Sequence, residues 1–256
     1  MDAIFSTLPP ALFVFACAVT LLGGFVKGAV GFAMPLVMIS GMGILIDPQI
    51  VVACIVIPIL IGNGLQVARA GLGPAKDAMR EHWRYITQVC VMILISAQFL
   101  KSIPTDAMFI VLGVPVVVLC AIQIAGWRPA ISQRLRRPFE WVAGTLSGIL
   151  GGLAGTWGPP TVLYLLALNT PRDRQMAVQG VIYGLGAVAL VGAHLASGLL
   201  SSQTAPFSLA LVVPALLGLW TGGQLLDRID QKLFRTLTLA VVLIAGANLI
   251  RRALLS

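Results

Sequence analysis

Of the 17 Lys and Arg residues in this chain, Lys27 is the one set inside an apolar run, within the glycine cluster Gly24-Phe25-Val26-Lys27-Gly28-Ala29-Val30-Gly31. An ammonium group is costly to place in hydrocarbon, so an intramembrane lysine marks a functional position by default. Its chemistry is that of a fixed positive charge with three N–H donors, suited to an anion. The bland alternative is a side chain that snorkels to the headgroups. Where glycines break a helix, the amides that start the next helix lack partners and carry the positive end of its dipole. Gly28 and Gly31 would let backbone approach a ligand there. A second cluster, Gly151-Gly152-Leu153-Ala154-Gly155-Thr156-Trp157-Gly158-Pro159-Pro160, repeats the glycine spacing 127 residues later. Gly155 and Gly158 match Gly28 and Gly31, the Thr156 hydroxyl can donate to an oxyanion, and the Trp157 indole can shape a cavity or donate its N–H. Pro159 or Pro160 suits the first helical position, where a missing N–H costs nothing. Close packing of helices on small residues is the competing use of such glycines. Further along, Gln179, Tyr183, Gly186 and His194 fall within about 80° of one another on a helix. Asn63 and Gln66 are the polar residues of the corresponding first-half region.

The elements that must position these groups are membrane helices. Of 256 residues, 58% are hydrophobic and 10% charged, whereas soluble domains carry about 25% charged residues. The apolar residues form runs separated by short clusters that hold nearly every charge, the pattern of successive spans. The net charge of +8 sits in short turns and not on a continuous face, which argues for topology signals and against nucleic acid. Met1 to Pro10 lacks the basic start of a cleavable signal, so the first run is expected to remain in the protein. Cys17, Cys54, Cys90 and Cys120 stand singly in apolar runs and read as buried small side chains. No motif asks for a metal or cofactor, and none supplies an activated nucleophile or carboxylate pair, so no enzyme is expected.

Each half opens with an overlong apolar stretch, about residues 10–46 and 139–169, interrupted by its glycine cluster. A continuous helix over the first would be about 55 Å long against a hydrocarbon core of about 30 Å. It must fold back, as a helical hairpin with arms of about 15 to 17 residues and its tip within the membrane. Three ordinary spans follow in each half, about 48–68, 84–101 and 106–126, then 175–198, 207–226 and 232–250. A second match, Gln98-Phe-Leu-Lys-Ser-Ile103 against Gln224-Leu-Leu-Asp-Arg-Ile229, falls at an offset of 126. The chain therefore reads as two transmembrane repeats, 1–127 and 128–256, divided near Trp127 to Pro138. With returning hairpins, one face receives thirteen basic residues and the other Lys101, Arg251 and Arg252; with single crossings the split is ten to six. The positive-inside rule prefers hairpins, with both termini outside. Each half then makes an odd number of crossings, so the fold expected is an all-α membrane protein of two inverted-topology repeats, each a broken-helix hairpin followed by three transmembrane helices.

Gly24-x3-Gly28-x2-Gly31 leading to Pro35, and Gly151-Gly152-x2-Gly155-Thr156-Trp157-Gly158-Pro159-Pro160 with Tyr164, resemble the paired glycine motifs of the sulfite exporter TauE/SafE family. The resemblance covers essentially the whole chain in length, hydropathy and duplication. It implies a multi-pass carrier of the bacterial cytoplasmic (inner) membrane that exports sulfite, sulfoacetate or related organosulfur anions. Family members are usually drawn with seven or eight spans in two four-span repeats, so the hairpin count departs from that sketch. The partners expected are a small anionic substrate and membrane lipids, with a homodimer compatible. The rivals are a non-transporting assembly partner of a sulfur-metabolism complex and an anion channel. All nine carboxylates fall in termini, turns or span ends, which favours efflux driven by the membrane potential over ion coupling; His194 and Lys27 stay open as proton carriers.

Overall fold

A computed structural model describes residues 9–126, 131–132, 134–225 and 231–255. The proposed divide at residues 127–128 and the Leu226-Asp227-Arg228-Ile229 part of the second match lie outside the described residues. Among the described residues the chain is helical without a strand. The first half comprises α1 (Pro10–Val30), α2 (Met34–Met42), α3 (Pro48–Ala70), the short α4 (Leu72–Glu81), α5 (Trp83–Ser96, continued by a 3-10 turn to Ser102) and α6 (Thr105–Ile124). The second comprises α7 (Arg136–Ala154), α8 (Gly158–Ala167), α9 (Arg172–Ala196), the short α10 (Ala205–Ala210), α11 (Val212–Leu225) and α12 (Gln231–Leu255). Six of these stretches are long and apolar enough to cross a membrane.

Both overlong stretches break, but into unequal arms. α1 has 21 residues and α2 only 9; α7 has 19 and α8 only 10. At 1.5 Å per residue the short arms reach about 14 to 15 Å, half of the core, so they cannot cross it. The first pair is antiparallel: a Cβ on Gly23 would lie 3.2 Å from the Met38 side chain, and one on Gly41 would press on Val19. The breaks fall where a glycine takes the left-handed conformation that closes a helix, Gly31 at φ 84° and Gly155 at φ 61°. These equivalent residues are 124 apart, and α3 and α9 also begin 124 apart, at Pro48 and Arg172. At this offset Gly24, Gly28 and Gly31 line up with Gly148, Gly152 and Gly155, three residues from the match read in the sequence. Later, α6 and α12 begin 126 apart, the offset of the second match.

Helix pairing is unchanged when the halves are exchanged. α1 packs on α11 as α7 packs on α5, while α3 meets α9 and α6 meets α12. The close pairs are made by small residues four apart. A Cβ on Gly24 or Gly28 would run into the α11 backbone at Ala215 and Leu219, and one on Gly218 or Gly222 into the α1 backbone at Leu21 and Phe25. Gly144, Gly148 and Gly152 meet α5 in the same way at Tyr85, Val89 and Ile93. Within α3, Pro58 has no N–H for the carbonyl of Cys54. The Ser208 hydroxyl of α10 donates to that carbonyl at 2.9 Å and accepts from the Ile57 N–H at 3.0 Å, so the interruption stays satisfied inside the bundle.

Two polar clusters fix opposite ends. At one, Glu140 is 1% exposed and accepts from Arg136 at 2.9 Å, with Arg84 at 3.6 Å and Glu81 on Arg136 at 3.4 Å. This brings the basic segments around 80–84 and 134–137 to one end. At the other, Arg252 donates to the carbonyls of Gly43 and Ile44, which holds the tail of α12 against the C-terminal end of α2, the favoured place for a cation.

Candidate functional site: a lysine between two broken helices

Lys27 lies on the last turn of α1 and is 4% exposed, so it does not snorkel. Its Nζ donates to Asn63 Oδ1 at 2.6 Å and to Gln66 Oε1 at 2.9 Å, both on α3. It also lies 5.6 Å from the centroid of the Tyr183 ring on α9, a cation–π distance. Asn63 is held in turn, its Nδ2 donating to the Tyr183 carbonyl at 3.1 Å. The ammonium is thus fixed by neutral acceptors alone, and two of its three donors are used. Among the described residues, no carboxylate forms an ion pair with it.

Both breaks open on a small cavity next to this lysine. The first contributes Phe32, Ala33, Pro35 and Leu36; the second contributes Gly155, Thr156, Trp157, Gly158 and Pro159; Asn63 and Tyr183 close the side. Its free volume is about 20 Å³, room for roughly one water. The starts of the two short helices face this space. Pro35, Pro159 and Pro160 carry no N–H, while Val37 and Thr161 already bond back to the carbonyls of Ala33 and Trp157. Among the described residues, the first-turn donors that remain are Met34 and Leu36 on α2 and Gly158 on α8. Ala33, the N-cap of α2, holds φ 76°, a conformation that costs a residue with a Cβ about 1–2 kcal/mol. Such strain is kept at places where the surrounding structure demands a particular backbone path.

The second break is braced from the basic end. Tyr183 donates its hydroxyl to the Gly158 carbonyl at 3.1 Å, and Thr161 donates to the Trp157 carbonyl at 2.7 Å. Tyr85 reaches Thr161 at 3.0 Å and Ser147 at 2.6 Å, while its ring stacks on Tyr164 at 3.9 Å. Tyr164 meets His82 Nδ1 at 2.8 Å. Burial, and less so Arg136, pulls the His82 imidazole below its ordinary pKa, against the opposing pull of Glu81 and Glu140.

A second, larger cavity of about 170 Å³ lies on the other side of Lys27. Gly28, Gly31, Gln66 and Arg69 line it with the lysine, which belongs to both cavities.

Of the residues singled out in the sequence, Lys27, Asn63, Gly155, Thr156, Trp157, Gly158 and Tyr183 meet at the small cavity, and Gly28 and Gly31 at the large one. Gln179 lines neither, although its side chain would lie 3.9 Å from a Cβ on Gly31. Gly28 sits inside α1 with its bare face on α11, so the break itself begins only at Gly31. Trp157 packs on Gly151 and Gly186 as well as lining the cavity. His194 lies eleven residues beyond Tyr183 on α9, about 16 Å away along the helix, and does not join the site. At the 124-residue offset of the two breaks, Lys27 aligns with Gly151 and Thr156 with Phe32, so the charge comes from the first half of the chain and the hydroxyl from the second. The residues missed were Phe32, Ala33, Leu36 and Arg69. Pro35, which stands at the start of α2, was the available signal for the first two.

The model of one protein family, described as Sulfite exporter TauE/SafE, matches residues 16–249. No curated protein and no solved structure matches the chain.

Proposed function

Because this chain belongs to the sulfite exporter TauE/SafE family over nearly its whole length, we propose that it is a carrier for one small oxyanion, sulfite or an organosulfonate, bound between its two breaks. The observation that carries this reading is the buried Lys27 ammonium, held by amide oxygens and not by a carboxylate, beside two short helix starts. A cation with a free donor, dipole ends and the Thr156 hydroxyl, once turned from its long 3.5 Å bond to the Leu150 carbonyl, are complementary to an oxyanion. Thr156 and the Leu36 N–H would complete the shell in a conformation where the cavity is wider than its present one-water volume, with Gly155 and Gly158 adding no side chain there.

The exchange-symmetric pairing of helices supports two inverted repeats, the arrangement in which one half rocks against the other around a site at their interface. The end that gathers Arg80, Arg84, Arg134, Arg136 and Arg137 is then cytoplasmic by the positive-inside rule, in a bacterial inner membrane. An anion leaving a cell with a negative interior gains about 2.3 kcal/mol per charge per 100 mV, so efflux runs on the potential. No described carboxylate lines the small cavity to serve as an ion relay.

The test is a thermal-shift screen of the purified protein against sulfite, sulfate, thiosulfate, sulfoacetate and organic carboxylates, followed by counterflow in proteoliposomes. Stabilisation by sulfur oxyanions with saturable counterflow is expected. A protein stabilised by none of them is a non-transporting partner, and flux without saturation or counterflow is a channel.

A further inference from the structure

The small cavity is too tight for the ligand just assigned to it. Its 20 Å³ takes about one water, whereas sulfite has four non-hydrogen atoms. The larger opening, at about 170 Å³, takes such an anion together with water. Resting on the reading of the chamber as an oxyanion site, we infer that this opening is a separate first docking site for the same oxyanion, with Arg69 as its outer ligand and Lys27 as the ligand shared with the chamber.

Polar residues from both cavities are spaced along one helix. Asn63, Gln66 and Arg69 follow one another on α3 at three-residue steps, about 4.5 Å of rise each. Asn63 lines the chamber, while Gln66 and Arg69 line the vestibule. Further inward the same helix meets the second break, where Ile55 and Ile59 touch Gly155. Thus α3 passes, in order, the vestibule, the lysine and the chamber. Arg69 is exposed and its guanidinium lies near Gly223 of α11, 3.9 Å from where a Cβ would stand. Among the described residues, no carboxylate pairs with it. The opposite wall, Met176 and Leu219, offers no competing charge among the described residues.

Lys27 is the partition. Its two bonds to Asn63 and Gln66 hold the ammonium across the boundary, and its third donor is left for an arriving anion. An anion drawn in by Arg69 can take that donor, replace Gln66 as acceptor and carry the ammonium with it as the chamber widens. Arg69 therefore acts on capture and Lys27 on both capture and translocation.

Counterflow of sulfite in proteoliposomes, run over a range of ionic strength, separates these roles. In Arg69→Gln the KM for sulfite should rise about tenfold with maximal flux within twofold of wild type, and the salt dependence of flux at low sulfite should flatten. Arg69→Lys should recover most of the loss. Met176→Glu, which puts a negative charge on the opposite wall, should raise KM in the same way and supplies the test if Arg69→Gln folds poorly. Unchanged KM in Arg69→Gln or Met176→Glu, or loss of maximal flux at constant KM, overturns the vestibule site and leaves the chamber standing. Absence of sulfite-dependent stabilisation of the wild-type protein overturns both.

Discussion

Replacing Lys27 by Gln removes the charge and leaves an amide donor, one bond shorter than the ammonium, near the same two acceptors. In the wild type, Nζ donates to Asn63 and Gln66 and retains one donor. A Gln amide has two N–H groups, enough to satisfy both oxygens, so folding should survive. An unsatisfied buried acceptor would otherwise cost about 1–3 kcal/mol, and removal of a buried charge offsets part of any residual loss. The anion, however, loses a charge-assisted hydrogen bond in a dry site, about 1.5–3 kcal/mol. Apparent affinity should fall about tenfold to a hundredfold. Lys27→Arg should recover part of this, since charge is kept but the planar guanidinium cannot take the same position. The assay is a thermal-shift titration with one stabilising anion, repeated for all three proteins. Equal affinities in wild type and Lys27→Gln, with both proteins folded, would refute the placement of Lys27 in the site.

Bulk on the glycines should sort them by task. Gly28→Leu should lower the yield of folded protein, because its side chain would force α1 off the α11 backbone; a well-folded, flux-dead variant by size exclusion and counterflow would return Gly28 to a ligand role. Gly31→Ala should cost about 1–2 kcal/mol through its positive φ, read as a lower Tm. Cysteine-accessibility labelling should place the 70–83 and 128–137 segments in the cytoplasm and both termini outside, and a cytoplasmic C-terminus would sink the inverted arrangement. Because burial holds the His82 pKa below that of an unfolded histidine, the unfolded chain binds the extra proton more readily. The stability from His82 should be complete above about pH 6.5 and be lost as pH falls from there through its lower folded pKa. Tm measured from pH 8 to 5 should fall less steeply in His82→Asn than in wild type.

The hairpins were legible because an apolar run of some 37 residues cannot be one helix in a bilayer. Their unequal arms were not. Two overlapping sets, Gly148/Gly152/Gly155 and Gly151/Gly155/Gly158, share one spacing, and only the left-handed backbone at Gly155 shows which glycine ends the helix. Lys27 stood out as a lone charge in an apolar run, whereas its partner Gln66 looked like any interhelical amide. Arg69 read as a topology signal, since the cavity that gives it another role is closed by α9 and α11, over a hundred residues away. Glu140, beside Trp141 at a span end, looked interfacial. Its burial depends on Arg84 reaching across from α5, although the i, i+4 pair with Arg136 was visible.

Pro58 and the Ser208 hydroxyl that repairs its gap make α3 a lever. The helix beyond the proline carries Asn63, Gln66 and Arg69 on one rigid arm, and its backbone bond across the pivot is replaced by contacts with a side chain from α10. A tilt of about 10° at Pro58 would move Asn63, some 7.5 Å out, by about 1.3 Å, and Arg69, some 16.5 Å out, by about 3 Å. The first displacement is enough to part the 2.6 Å bond to Lys27, and the second changes the width of the vestibule mouth. A small rotation at one serine-stitched joint would thus release the ammonium and reshape the entrance in a single stroke.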